Sequence, residues 1–387
     1  MGKPYTKFGG EKMKKIAVFI YSMAGGGAER VVSNLLSELI KAYEVHLILM
    51  NDRVYYDIPN KVNIHFIEKS APFENGIKKL LKLPFLGLKY KKLCNKLGID
   101  IHFVWMNRPC YAAGFARIFG LKGTMIFNEC STPSVLYKEK NLKSFISKTL
   151  LKFLYPKADL IMPNSLGNLI DLEQNFGIKK DKMWVLYNAI DMQTIAKLSN
   201  EEIDKNLNKP FFLSVGRLDS GKNHSLLIRA FSKLKNDKFD LVILGEGVLK
   251  NELQNLIREL NLENRVHLMG FEKNPYKYMS KCYAFVFVSL FEGFSNALIE
   301  ALACGKFIIS SDHKSGAREL LGDDEWGVLV PVNDELSTQN AMQKAIDEES
   351  FVKAYEQKAK TRAMFFDKAK ITNELIKKIE ETHKNMA

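Results

Sequence analysis

Residues 210–231 read PFFLSVGRLDSGKNHSLLIRAF, and this stretch decides the fold. Phe211–Val215 is an apolar run of strand length with no polar alternation, the pattern of a strand covered on both faces. A glycine-bounded loop, Gly216–Asn223, follows at once, and His224–Leu234 then places Leu227, Ile228 and Phe231 on one helical face. A strand that runs through a short loop into a helix is half of a β-α-β unit, which sets parallel strands in one sheet.

The same alternation continues on both sides. Upstream, strands are expected at Lys15–Ser22, Glu44–Met50, Val62–Ile67, Ile101–Met106, Thr124–Cys130, Leu160–Pro163 and Met183–Tyr187. Helices are expected at Ala28–Ala42, through a basic region around 76–98, and at Ser144–Lys157 and Leu166–Phe176. Downstream, strands at Leu241–Leu244, Val266–Gly270, Ala284–Leu290, Phe307–Ser311 and Val328–Val330 enclose a helix at Leu249–Leu260, and the chain is helical from about Leu336. This is an α/β chain, and its 387 residues suit two Rossmann-like domains facing each other across a central cleft. The expected domains are 13–190 and 210–367, joined by a polar linker at 191–209. Residues 368–387 form a C-terminal helix able to cross back to the first domain, and 1–12 read as an N-terminal extension or tag. In open parallel sheets, ligands bind beyond the carboxyl ends of the strands, so the loops after each strand are where chemistry is sought.

A composition of 46% hydrophobic and 26% charged residues excludes collagen, coiled coil and a disordered chain. The longest early uncharged stretch, Ile16–Ala28, is 13 residues and broken by glycine. A bilayer span needs roughly 20 apolar residues, so no crossing segment is expected. Five scattered cysteines, Cys94, Cys110, Cys130, Cys282 and Cys304, make no disulfide framework and fit a reducing cytosol.

The net charge of +13 is uneven: residues 1–190 hold 29 Lys and Arg against 15 Asp and Glu, while the remainder is close to neutral. The first half therefore faces something anionic. Its densest patch, Gly76–Gly98, carries Lys78, Lys79, Lys82, Lys89, Lys91, Lys92 and Lys96 with no acid, interleaved with leucines. Such a segment fits the surface of an anionic leaflet, and equally an ordinary surface helix with its leucines on a sheet. Nothing accompanies it that would make nucleic acid the partner.

Three loops carry polar groups suited to a phosphorylated ligand. Gly25-Gly26-Gly27-Ala28-Glu29-Arg30 opens a helix after the first strand, where free N–H groups attract an anion. Arg30 occupies the place of the third glycine of a dinucleotide fingerprint, which disfavours NAD; a plain tight turn is the alternative reading. In Gly216–Asn223, Arg217 and Lys222 can both reach a diphosphate, one as a planar fork and one as a point charge, unless they are simply surface cations. In Phe291–Glu300, Glu292 lies in the loop and Glu300 one turn into the next helix, with Ser295 or Asn296 as its cap. Two unpaired carboxylates at the end of a buried strand suit a polyol held between acceptors.

These ordered motifs resemble glycosyltransferase family 4. The similarity runs from about Met13 to the C-terminus and includes Asn188–Asp191, Gly245-Glu246-Gly247 and Ser315–Glu319. Within the family, Tyr43–Asp52, Leu241–Lys250 and Asp312–Leu320 are similar to the GalNAc transferases of bacterial N-linked protein glycosylation. The resemblance implies a GT-B fold and a retaining transfer of GalNAc from UDP-GalNAc, in α1,4 linkage, onto undecaprenyl-diphosphate-linked GalNAc-α1,3-diNAcBac. It implies that Arg217, Lys222 and Glu292 act at the reacting centre. Gly26, Gly27, Phe271, Phe294, Ser295, Asn296 and Glu300 would bind the donor, with Glu300 on the ribose. Arg30, Asn128 and Glu129 are acceptor candidates, and the lysines of 76–98 face the membrane. Where many relatives carry a His, this chain has Cys130. With no Asp-x-Asp pair in the chain, no metal or other cofactor is expected. The implied location is the cytoplasmic face of the inner membrane, held peripherally. Rival readings are a neighbouring GalNAc transferase of the same assembly, a lipopolysaccharide glycosyltransferase, a UDP-sugar epimerase and a non-catalytic UDP-sugar-binding adaptor.

Overall fold

The computed structural model describes residues 13–68, 76–203, 207–235 and 237–386; the extension at 1–12 and linker residues 204–206 lie outside them. The chain divides into two compact units, residues 1–189 with 368–387, and residues 190–367.

The first unit runs β1 (Lys15–Ile20), α1 (Gly27–Leu39), β2 (Glu44–Leu49), β3 (Asn63–Phe66), α2 (Gly76–Leu81), α3 (Leu83–Leu97), β4 (Ile101–Trp105), α4 (Asn107–Ile118), β5 (Thr124–Glu129), α5 (Pro133–Leu136), α6 (Leu142–Leu154), β6 (Leu160–Pro163) and α7 (Leu166–Phe176). Its six strands are all parallel in the order β3-β2-β1-β4-β5-β6. Every residue of β4 is buried because helices cover both faces. On one face Phe19, Val104 and Phe127 pack beneath α3, α4, α6 and α7; on the other Val18, Phe103 and Ile126 pack beneath α1.

The second unit runs α8 (Met192–Leu198), β7 (Phe211–Val215), α9 (His224–Ser232), β8 (Asp240–Leu244), α10 (Lys250–Glu259), β9 (Val266–Gly270), α11 (Tyr276–Met279), β10 (Ala284–Phe287), α12 (Asn296–Ala303), β11 (Ile308–Ser311), α13 (Ala317–Leu321), β12 (Val328–Val330), α14 (Glu335–Asp347) and α15 (Glu349–Ala363). Its strands, also parallel, lie in the order β12-β11-β10-β7-β8-β9, so both units share one topology. The order reverses between β1 and β4 in the first unit and between β7 and β10 in the second. Loops that leave adjacent strands in opposite directions open a crevice there.

Two expectations are corrected. Residues 191–198 are not a linker: Asp191 caps α8 by accepting from Thr194 N–H at 3.0 Å, Ile195 is buried, and the helix packs on α11 and α12. The strand expected at Met183–Tyr187 is reduced to a single bridge from Met183 to Ile161. The last helix, α16 (Lys368–Lys384), belongs wholly to the first unit. There Ile371, Leu375 and Ile379 enter the core beside α1, and Tyr43 Oη donates to Glu380 at 2.9 Å.

His102 in β4 shows how the sheet tolerates a buried ionisable group. Its Nδ1 lies 3.0 Å from Tyr90 Oη and its Nε2 2.9 Å from the Lys122 carbonyl, an arrangement that suits the neutral ring with the proton on Nε2. Burial lowers its pKa to about 4. The unfolded chain takes up this proton near pH 6.5 and the folded chain only near 4, so His102 erodes stability as pH falls across that window. The expected loss is on the order of a few kcal/mol. His102→Gln should flatten the fall in melting temperature between pH 6.5 and 4.5; an unchanged slope contradicts this assignment.

Candidate functional site

The loop after β7 is shaped by glycines. A Cβ on Gly245 (φ +147) would lie 1.9 Å from the Gly216 carbonyl oxygen, and one on Gly247 would lie 2.3 Å from that of Leu218. Only glycine lets the loop after β8 press so closely against it. Leu218 N–H donates to Glu246 O at 3.0 Å, and Leu290 N–H donates to Gly221 O at 2.8 Å. The second bond ties the loop after β7 to the end of the β10 segment, across the point where the strand order reverses.

That tie brings Lys222 and Glu292 together. The Lys222 ammonium is in direct ion-paired contact with Glu292 Oε1, and each side chain is 18% exposed. The ammonium also sits 4.9 Å from the centre of the buried Phe287 ring. Arg217 diverges from them: its side chain is 82% exposed and pairs with Asp219 at 3.3 Å. The expectation of two unpaired glutamates is therefore corrected, because Glu292 holds Lys222 and the buried Glu300 accepts from Tyr276 Oη at 3.3 Å. Both carboxylates face cations or donors that a buried charge requires.

The α12 residues follow the expected placement. Ser295 occupies the N-cap without a side-chain capping bond, Phe294 packs against Phe366 with ring centres 5.5 Å apart, and Asn296 begins the helix. Phe271, just after β9, exposes its ring to solvent. Sequence reasoning gave His313 no assignment. It follows β11, is buried, and packs edge-on to Phe287 at 6.4 Å, so one ring carries Lys222 and His313 together. Neither ring nitrogen has a hydrogen-bond partner of good geometry. Burial lowers its pKa, with Glu292 and the Ser315 backbone opposing and Lys222 adding to the shift, which favours a neutral imidazole. Its position after an apolar strand was the available signal.

In the first unit, the structure revises several candidates. Gly26 is the N-cap of α1, but the space a Cβ would take is occupied by the Glu29 carboxylate, 2.2 Å away. Glu29 accepts from Ser22 Oγ at 3.3 Å, and burial raises its pKa. Gly27 is the first residue of α1, and Arg30 Nε donates to Tyr56 Oη at 3.4 Å. Asn128 and Glu129 are wholly buried and engaged internally, so they do not present themselves to an acceptor. Asn128 donates to the Met162 carbonyl at 2.9 Å. Glu129 accepts from Tyr155 Oη at 2.6 Å, Asn107 Nδ2 at 2.7 Å and Ser131 Oγ at 2.7 Å. Burial, then the Glu129 charge, pushes the Cys130 thiol well up, so it stays protonated. Of the lysines, Lys78, Lys82, Lys89 and Lys92 are exposed and Lys79 is half-buried, whereas Lys91 donates to the Phe119 carbonyl. Among the described residues no group of three or more His, Cys, Asp or Glu is arranged to hold a metal ion, and no helix is long and apolar enough to cross a membrane.

Comparisons with known proteins converge on one chemistry. Residues 25–194 match the family described as Glycosyltransferase Family 4, and residues 197–362 match Glycosyl transferases group 1. The chain is 58% identical, over 94% of its length and 99% of the relative's, to the N-acetylgalactosamine-N,N'-diacetylbacillosaminyl-diphospho-undecaprenol 4-alpha-N-acetylgalactosaminyltransferase of Campylobacter jejuni. It is 27% identical, over 95% of its length and 99% of the relative's, to another transferase of that organism. That one is named GalNAc-alpha-(1->4)-GalNAc-alpha-(1->3)-diNAcBac-PP-undecaprenol alpha-1,4-N-acetyl-D-galactosaminyltransferase. Among solved structures, sucrose-phosphate synthase from Thermosynechococcus elongatus superposes with a TM-score of 0.81 at 18% identity, over 95% of this chain and 98% of that one.

The pairing of Lys222 with Glu292 yields a prediction of opposite signs. Lys222→Met should weaken UDP binding by about tenfold or more, the worth of a charge-assisted contact to phosphate. Glu292→Gln removes the competing carboxylate and should tighten it several-fold. Isothermal calorimetry with UDP reads both, and equal affinities in the two variants would contradict the arrangement.

Proposed function

This chain belongs to glycosyltransferase family 4 and has the GT-B fold, and from that premise we propose that it transfers GalNAc from UDP-GalNAc, in α1,4 linkage and with retention, onto undecaprenyl-diphosphate-linked GalNAc-α1,3-diNAcBac. The observation that carries the reading is the Lys222–Glu292 pair at the strand-order reversal of the second unit, in a chain 58% identical to a transferase named for this step. The relative named for the longer acceptor is only 27% identical, which favours the shorter one.

In the proposed reaction the donor's diphosphate displaces Glu292 from Lys222. Arg217, already exposed, swings onto the same phosphates from its solvent position. The two cations offset the charge that develops on the departing UDP, the role that makes a bridging metal unnecessary here. Glu292, freed from its partner, accepts from a hydroxyl of the GalNAc ring, and Glu300 takes the ribose hydroxyls in exchange for Tyr276. Phe271 offers an exposed face for uracil. The bond from sugar C1 to the β-phosphate oxygen breaks while the acceptor's O4 bonds to C1 on the same side, and the hydroxyl proton passes to the departing phosphate. With the leaving group as base, the position held by the protonated Cys130 needs no His.

The acceptor is a lipid, and the first unit has a surface suited to a bilayer. On the sheet face covered by α3, α4 and α6, Leu81, Phe85, Leu142, Phe145 and Phe153 are 75, 60, 61, 68 and 54% exposed. Helices α2, α3 and α6 carry nine lysines and no acid. On the opposite face, α1 and α16 expose no large apolar side chain to this degree. Basic residues interspersed with exposed phenylalanines fit the interface of an anionic leaflet, each Lys adding roughly 1 kcal/mol. The protein therefore docks peripherally at the cytoplasmic face of the inner membrane, reaching its acceptor without crossing the bilayer.

Offered UDP-GalNAc and the lipid-linked disaccharide, the protein should yield a product one N-acetylhexosamine heavier by mass spectrometry, with or without EDTA. No product, or one formed only with added divalent metal, contradicts the reading. Charge reversal of Lys78, Lys89 and Lys92 together with Phe145→Ser should cut co-sedimentation with phosphatidylglycerol vesicles at least tenfold. Unaltered vesicle binding and turnover would remove the docking surface.

A further inference from the structure

The second unit keeps its charged pair where the strand order reverses, and the first unit repeats that topology. Its own reversal lies between β1 and β4, from which Tyr21 and the segment Met106-Asn107-Arg108 emerge. Met106 has φ 70 and ψ 154, a backbone state that residues with a Cβ rarely adopt and that persists only when the surroundings impose it. Arg108 stands two residues on, in the first turn of α4. Its guanidinium lies 5.6 Å from the centre of the Tyr21 ring, and Nη1 is 2.9 Å from Glu68 Oε2. Lys82, at the junction of α2 and α3, approaches the other oxygen of Glu68 to 3.8 Å.

Despite this company, Nε, Nη1 and Nη2 of Arg108 are buried and none makes a well-aligned hydrogen bond among the described residues; neither does either buried Glu68 oxygen. A buried guanidinium with an ion-pair contact but no well-aligned hydrogen bond is costly, and most buried polar groups in folded proteins are satisfied. Beside Glu68 and Lys82, the buried Arg108 guanidinium therefore carries spare donors. A planar fork of N–H groups matches phosphate oxygens, and the lysine adds a point charge. Lys82 also directly follows the highly exposed Leu81 and precedes the exposed Phe85, so the cluster adjoins the helices of the proposed bilayer surface.

We propose that Arg108, with Lys82, binds the diphosphate of the lipid-linked acceptor, an inference that rests on the acceptor class proposed above. Glu68 then plays the part that Glu292 plays in the second unit, occupying the cation until the phosphate arrives. Of these residues only Lys82 stands out in the sequence, as part of the basic patch; Tyr21, Glu68 and Arg108 do not, because Arg108 and Glu68 are separated by a strand and two helices.

The test compares two acceptors with saturating UDP-GalNAc: the undecaprenyl-diphosphate disaccharide and the same disaccharide as a neutral alkyl glycoside. The wild-type chain should prefer the diphosphate acceptor, and Arg108→Gln should shrink that preference on the order of 10–100-fold, through acceptor KM rather than kcat. Because this variant strands Glu68, the double variant Arg108→Gln with Glu68→Gln is run beside it, its fold checked by thermal melting. A preference that shrinks in both variants supports the site. A preference that survives in the double variant, or equal losses on both acceptors, overturns it. A wild-type chain that extends neither acceptor removes the acceptor assignment itself and this inference with it.

Discussion

A lysine ammonium held against a glutamate carboxylate, at the carboxyl edge of a parallel sheet, is the constraint on which the chemistry proposed for the second unit depends. Lys222 and Glu292 come from loops 70 residues apart, joined by one backbone hydrogen bond from Leu290 to Gly221. Each is mostly withdrawn from water, so neither charge is stable there alone. In the proposed reaction Glu292 is a stand-in anion: it keeps Lys222 over Phe287 and is exchanged for a phosphate without leaving a bare charge. Glycines at 245 and 247 make this geometry possible by admitting a neighbouring loop where any Cβ would collide with backbone.

One topology serves both units with different burdens. In each, a reversal in strand order opens loops side by side, and in each a cation and a glutamate meet near that point. The surplus positive charge sits almost entirely in the first half, which also carries the exposed phenylalanines and the lysine-rich helices. The second half is nearly neutral overall, with 28 Lys and Arg against 29 Asp and Glu. That division suits the proposed reaction, in which one unit takes a soluble donor and the other a lipid-linked acceptor.

Much of this was legible in the sequence, and the remainder was hidden for identifiable reasons. Continuous apolar strands alternating with amphipathic helices gave the parallel sheets, because that pattern has few other solutions. The loops bearing Arg217, Lys222 and Glu292 were found by their place after strands. Their pairing was not, since ion pairs between distant loops leave no periodic trace. Asn128 and Glu129 looked available because they end a strand, yet Tyr155 and Asn107, contributed by other elements, enclose Glu129. The polar run at 191–198 looked like a linker, but one buried side chain, Ile195, and an Asp191 cap suffice to fold it. His313 and Arg108 announce themselves only through buried nitrogens that lack a well-aligned hydrogen bond among the described residues, a property of packing rather than of composition.

The most direct measurement is a crystal structure of the chain with UDP-GalNAc bound. The account predicts the β-phosphate against Lys222, Arg217 turned in from solvent, and Glu292 rotated off the ammonium onto a hydroxyl of the sugar. A diphosphate held elsewhere, with Lys222 and Glu292 still joined, would contradict it.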